Sequence, residues 1–257
     1  MVNNYNEIEI KQDWANYFCF VGDKSAIINL NLALKQIGPI PEYKFNIWFS
    51  LEVLNPNEDG LVTQEELERI YQIEDVIVDE LGKNGAIFMG NLKTNGLFEI
   101  CFYSKYIENY QEIIDSVMKN YPEYKYSISS KEDSSWNDYF SFLYPEKYEY
   151  RSIMNAKVIT NLLNSGDNAE LEREVDHWFY FKSNQNRELF IKEVSHLGYE
   201  VVSQDNLEED EHPYKLYISH NNNILWDNVD NYVWELVELV EKYEGIYEGW
   251  NSDVTKV

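Results

Sequence analysis

The chain of 257 residues is 44% hydrophobic and 16% aromatic, enough to bury the core of one large or two small domains. Its formal net charge is -25, and no dense block of Lys or Arg occurs, so a polyphosphate backbone would be repelled and direct nucleic-acid binding is not expected. No stretch approaches the roughly 20 apolar residues of a membrane span, and the opening MVNNYNEIEIKQDW lacks the basic start and apolar core of a secretory signal, so a cytoplasmic protein with no membrane association is expected.

Alternating segments at Tyr17 to Val21 and Ser25 to Leu34 flank Gly22-Asp23 and read as a hairpin. After the Gly38-Pro39-Ile40-Pro41 break, KFNIWFSLEV reads as a strand. TQEELERIYQIEDVIVDELG then reads as a helix with Leu67, Ile70, Ile73, Ile77 and Leu81 along one face. GAIFMGNLK and LFEICFYS flank Thr94-Asn95-Gly96, a tight-hairpin signal because Asn-Gly tolerates the positive φ of such turns. A helix bearing Tyr110, Ile113, Ile114, Val117 and Tyr121 stops at Pro122, and the strand YKYSIS follows. From Lys44 onward the order is βαββαβ.

A helix from Ser152 to Leu163 and a polar link at Asn164 to Asn168 lead into a second unit of the same order. REVDHWFYFKS is a strand, NRELFIKEVSHLG a helix closed by Gly198, and YEVVSQ and YKLYISH are strands. The helix around Trp226 to Glu244 buries Val229, Val233, Leu236, Val240 and Tyr243, and IYEGW closes the unit. The expected fold class is α+β: two ferredoxin-like sandwich domains in tandem, residues 1–148 and 149–257, with antiparallel sheets and an extra hairpin on the first. Residues 149–257 hold 22 Asp and Glu against 9 Lys and Arg, and residues 1–148 hold 24 against 12. The acidity is shared between the halves, with a local concentration at Glu208 to Glu211, and it would speed encounter with a basic protein surface.

Motifs for chemistry are sparse. Cys19 and Cys101 lie in apolar alternating segments and read as small buried hydrophobes. Residues 55–66, NPNEDGLVTQEE, approach a calcium loop with Asn55, Asn57, Asp59, Gly60 and Glu66 in place, but a strand precedes them where a helix is required. A turn followed by a Thr63 to Glu66 capping box accounts for the same letters. No nucleophile elbow, phosphate-binding glycine loop or metal-spaced cysteine pair occurs, so neither catalytic residues nor a cofactor nor a metal is expected. His196 and His212 have local explanations in a helix end and an acidic loop. His177 and His220 lie on predicted strands and would approach each other if those strands are neighbours.

Strand alternation says more. In REVDHWFYFKS, Val175, His177, Phe179 and Phe181 point one way, towards the core under the helices, and Asp176, Trp178, Tyr180 and Lys182 point the other. A sheet with both helices on one face leaves the second face uncovered, which places Trp178 and Tyr180 there, joined by Tyr217 and, from the last strand, Tyr247. Such a patch is either packed against the first domain or a second copy of the chain, or offered to a protein partner.

The lead-in LLNSGDNAELEREVDHWFYF, the helix segment FIKEVSHLGYEV and the closing VEKYEGIYEGWNS, from Leu162 to Asn251, together resemble the RraB family, regulators of ribonuclease E activity. The resemblance implies a ferredoxin-like, non-catalytic protein that binds an endoribonuclease and redirects RNA turnover. The N-terminal half is similar to the bacterial domain of unknown function 695 in Trp14 and Tyr17, Asp59-Gly60-Leu61 with Glu65-Glu66, Ile73-Glu74-Asp75, Phe102-Tyr103, Trp136, Tyr139 and Leu143-Tyr144-Pro145. That resemblance implies no activity. Three functions fit: a regulator binding a basic or RNA-processing protein, an immunity-type protein neutralising a basic toxin nuclease, and a small hydrolase or metal-dependent enzyme using His177.

Overall fold

A computed structural model describes residues 10–208 and 210–256, so the opening nine residues and Glu209 of the acidic loop lie outside the described chain. The chain is an α+β protein with two antiparallel sheets, divided into two compact units between Glu149 and Tyr150.

In the first unit the strands are β1 (Trp14–Val21), β2 (Lys24–Asn31), β3 (Phe45–Glu52), β4 (Ala86–Thr94), β5 (Leu97–Ser104) and β6 (Tyr126–Glu132), ordered β1-β2-β4-β5-β3-β6. The strand expected to run to Leu34 ends at Asn31, whose side chain accepts from the Ala33 amide and opens a 3-10 turn over Leu32–Gln36. Helices α1 (Gln64–Lys83) and α2 (Tyr110–Met118) cover one sheet face. Ile70, Ile73, Ile77 and Leu81 recur at helical spacing and meet Ile47, Phe49 and Leu51 of β3 and Phe98, Ile100 and Phe102 of β5. Burial of such side chains contributes about 1.5–3 kcal/mol each. In β4 a bulge between Phe88 and Gly90 brings the backbone against β2, and a Cβ at Gly90 would sit 2.1 Å from the Asn29 carbonyl oxygen.

The opposite face of this sheet is covered by the unit's own chain. Trp136, with a positive φ of 54°, is fully buried and stacks on Tyr103 at 4.8 Å. Its indole N–H donates to the Tyr43 carbonyl at 2.6 Å, and the Tyr139 hydroxyl donates to the Asn31 carbonyl at 2.9 Å. Asp133 fixes the turn: it accepts from the Tyr103 hydroxyl at 2.5 Å and from the Asn137 and Asp138 amides, and a π-helical turn over Asp138–Leu143 follows.

Two local expectations change. Thr63 takes the N-cap position of α1 but makes no side-chain cap bond, because the Glu66 carboxylate turns back to accept from the Leu54 and Asn55 amides at 2.9 and 3.0 Å. Both Glu66 oxygens and the Asn57 side-chain oxygen are thus committed to backbone amides, and β3 precedes the loop. Cys19 is only half-buried, since β1 is the edge of the sheet and has a neighbour on one side alone; Cys101, on central β5, is fully buried.

The second unit comprises α3 (Lys147–Asn164), which crosses the unit division, β7 (Arg173–Phe181), α4 (Asn184–His196), β8 (Glu200–Asn206), β9 (Tyr214–Asn222), α5 (Trp226–Lys242) and β10 (Gly245–Ser252). The sheet order is β10-β7-β9-β8. Phe179, Phe181, Phe190, Val194, Leu216, Ile218, Val233 and Leu236 form one core with Ile159 and Leu162 of α3. α3 is pinned by polar bonds: Ser152 and Asn155 donate to Asp230 at 2.8 Å, and the Trp250 indole donates to Asn155 at 2.9 Å. The buried Arg187 guanidinium donates to the Asp205 and Lys215 carbonyls, both at 3.0 Å, and fastens α4 to β8 and β9.

Candidate functional site

Two groupings in the second unit descend from β7, one on each side of the sheet. Beneath the helices, His177 is fully buried. β7 pairs with β9, so Val175 lies opposite His220 and the two imidazoles stack, with centroids 5.1 Å apart. His177 Nε2 meets His220 Nδ1 at 3.2 Å, and His177 Nδ1 meets the Tyr247 hydroxyl at 2.9 Å. Tyr199 and Tyr232 enclose His220, at ring distances of 4.6 and 4.8 Å.

Burial, and then the neighbouring imidazole, holds His177 well below the ordinary histidine value; burial lowers His220 to about 4. The pair is neutral near pH 7. Burial likewise raises the phenols of Tyr199, Tyr232 and Tyr247. Both His177 nitrogens have partners, leaving neither for a metal or a substrate, and no group of three or more His, Cys, Asp or Glu among the described residues is placed to hold a metal ion. A neutral, enclosed imidazole pair suits the interior of a core.

Tyr247 therefore does not join Trp178, Tyr180 and Tyr217. It lies opposite Phe179 and is 3% exposed. Regular alternation could turn only one of Tyr247 and Trp250 inward, but the bulge between Tyr247 and Gly249 resets the pleat and buries both. The residue that β10 does place beside Tyr180 is Ile246, 46% exposed, which the sequence reading missed. Its only signal was its place directly after Gly245, the residue where the chain leaves α5 and enters the strand.

On the outward face Trp178 lies opposite Tyr217 and the rings stack at 5.2 Å with 20° between planes. Tyr180 lies opposite Lys215, whose ammonium sits 5.6 Å from its ring centroid. Trp178, Tyr180 and Tyr217 are half-buried. Carboxylates surround them: partial burial and then the neighbouring Asp176 push the Tyr217 phenol up to about 12, with Glu174 and Asp253 adding to the effect, and Glu248 acts on Tyr180 in the same sense. Asp176 keeps its Oδ1 buried without a hydrogen-bond partner.

Residues 12–144 match the model of a family of unknown function (DUF695), and residues 152–252 match that of Regulator of ribonuclease activity B (RraB). The chain belongs to the DUF695 family and carries a C-terminal RraB domain. Trp178, Tyr180, Tyr217 and the two strand histidines all lie within the RraB domain. An RraB domain implies a regulator of ribonuclease activity with a protein partner, and regulators of that family are non-catalytic. No curated protein matches the chain. Among solved structures, an unknown protein from Galdieria sulphuraria is 8% identical over 82% of this chain and 99% of that one, with a TM-score of 0.23, too loose a likeness to bear on fold or function. Among the described residues no helix is long and apolar enough to cross a membrane.

Proposed function

We propose that this chain is a non-catalytic, acidic regulator that binds an RNA-processing endoribonuclease in the cytoplasm through the open face of its RraB-domain sheet. The observation that carries this reading is the stacked Trp178–Tyr217 pair with Tyr180 beside it, half-exposed on the sheet face opposite α4 and α5. Aromatic anchors ringed by charge are the usual composition of a binding hot spot. We read residues 1–148 and 149–257 as two domains of ferredoxin-like type, the first extended by the β1–β2 hairpin, with the DUF695 domain an added module rather than an active site.

The test is a reconstituted assay in which an endoribonuclease from the same host cleaves an RNA substrate with and without the chain. The parent chain is expected to change the cleavage rate and to co-sediment with the nuclease. A Trp178→Ala, Tyr180→Ala double variant, folded by circular dichroism, is expected to do neither. A folded double variant that regulates as the parent does overturns the reading.

A further inference from the structure

The outward face of the RraB-domain sheet has a composition that selects among basic side chains. It combines an aromatic platform, the stacked Trp178 and Tyr217, with the adjoining Asp176, whose carboxylate is hydrogen-bonded to the Tyr217 side chain and adds negative charge at the rim of the platform. Glu174 and Asp253 lie close enough to act on the Tyr217 hydroxyl. Lys215 is the cation nearest these rings among the strand pairs, and it is turned to Tyr180.

An ammonium can sit over a ring, as Lys215 does over Tyr180, but it cannot lie flat against one and fork to a carboxylate. A guanidinium is planar, weakly hydrated and forked, so it can lie against an aromatic ring and donate to a carboxylate oxygen at once. A protein that acts on RNA must present cations to phosphates, which supplies such side chains on the partner's side. The first unit makes the contrast: its corresponding sheet face is closed by Trp136 and Tyr139 from its own chain.

We propose that the face takes an arginine-bearing segment of the partner, with a guanidinium against the Trp178–Tyr217 platform and its donors turned to the acidic rim formed by Asp176, Glu174 and Asp253. This rests on the binding face assigned above and adds the chemistry of its occupant.

The probes are acetylated, amidated hexa-arginine and hexa-lysine peptides, titrated calorimetrically into the full chain at physiological ionic strength. The parent is expected to bind the arginine peptide about tenfold more tightly than the lysine peptide, since only the guanidinium stacks and forks. In Asp176→Asn and in Trp178→Leu, each checked by circular dichroism, that preference should fall to about twofold or less. Tyr217→Leu replaces either variant that fails to fold.

Equal binding of both peptides by the parent, or a preference that survives in the folded variants, overturns the proposal. So does sedimentation showing that Trp178→Leu dissociates a dimer of the parent, because a second copy then occupies the face. The nuclease assay separates the two failures: lost regulation in the double variant without any arginine preference sinks only the arginine assignment, whereas unimpaired regulation sinks the face itself.

Discussion

The two units weave their sheets alike and finish them differently. In the first, β3, α1, β4, β5, α2 and β6 give the strand order β4-β5-β3-β6; in the second, β7, α4, β8, β9, α5 and β10 give β8-β9-β7-β10 when read in the same direction. Each sheet buries one face under two helices. The first then folds Trp136 to Leu143 over its other face, whereas Trp178, Tyr180 and Tyr217 on the corresponding face of the second are only half-buried. A tryptophan on the second sheet face is thus core in one unit and surface in the other. The contrast teaches that this weave fixes one buried face and leaves the other to be assigned by whatever chain or partner comes next.

The buried ionisable groups differ as well. In the first unit Glu74, on α1, accepts from Asn91, which in turn accepts from Lys93. Burial raises Glu74 to about 7, with Asn91 and Lys93 pulling it partly back, and burial lowers Lys93. In the second unit burial shifts the two stacked imidazoles, His177 and His220, down. A carboxyl shifted up and histidines shifted down give opposite pH slopes.

The largest expected effect probes the two tryptophans. Trp136→Ala removes a fully buried indole and the N–H bond to Tyr43, and should cost the first unit about 3–5 kcal/mol in a urea titration. If it costs no more than Trp178→Ala, the contrast between the faces is wrong.

Next come the pH slopes. Glu74 is protonated more readily in the folded unit, so its contribution is fully present below about 4.5 and is lost as pH rises through about 7. Glu74→Gln should remove that loss, stabilising the first unit at pH 8 by roughly 3 kcal/mol at most. His220 contributes oppositely: stability is present above the ordinary histidine value of about 6.5 and is lost as pH falls towards about 4. Hydrogen exchange followed against pH should therefore show β7 and β9 losing protection on acidification while β4 does not. Parallel behaviour of the two sheets would dissolve the comparison.

A smaller effect concerns the imidazole pair. Tyr247→Phe leaves His177 Nδ1 buried without its partner and should cost about 1–3 kcal/mol of thermal stability. Were Tyr247 on the open face, the substitution would be neutral. The smallest stability effect is Trp178→Ala, about 1 kcal/mol or less, since it forfeits one stacked ring at a half-exposed position while the core beneath is untouched.

Much of this was legible in the residue pattern. The stripe Ile70, Ile73, Ile77 and Leu81 marks α1, and alternation in β7 sends Val175, His177 and Phe179 inward and Trp178 and Tyr180 outward, as their burial has it. Tyr247 was not legible because a single extra residue at a bulge reverses parity, and nothing in IYEGW announces the bulge. The cover of the first sheet was equally hidden: Trp136, Tyr139 and Leu143 stand at i, i+3 and i+7, a helical spacing, but what they cover is set by bonds to Tyr103, Tyr43 and Asn31, distant partners that no local pattern encodes.

The elements, their order and the inward side of each regular strand are written into the residue pattern, because they follow from periodicities of 3.6 and 2 that act over neighbouring residues. Tertiary structure alone decided that His177 and His220 meet across β7 and β9, that Tyr247 turns inward to join them, and that Trp136 is sealed while Trp178 is not. Those outcomes depend on strand adjacency, one bulge and one covering segment. Each is fixed by contacts between residues far apart in the chain, where the closing of a face stabilises the fold more than any local preference can.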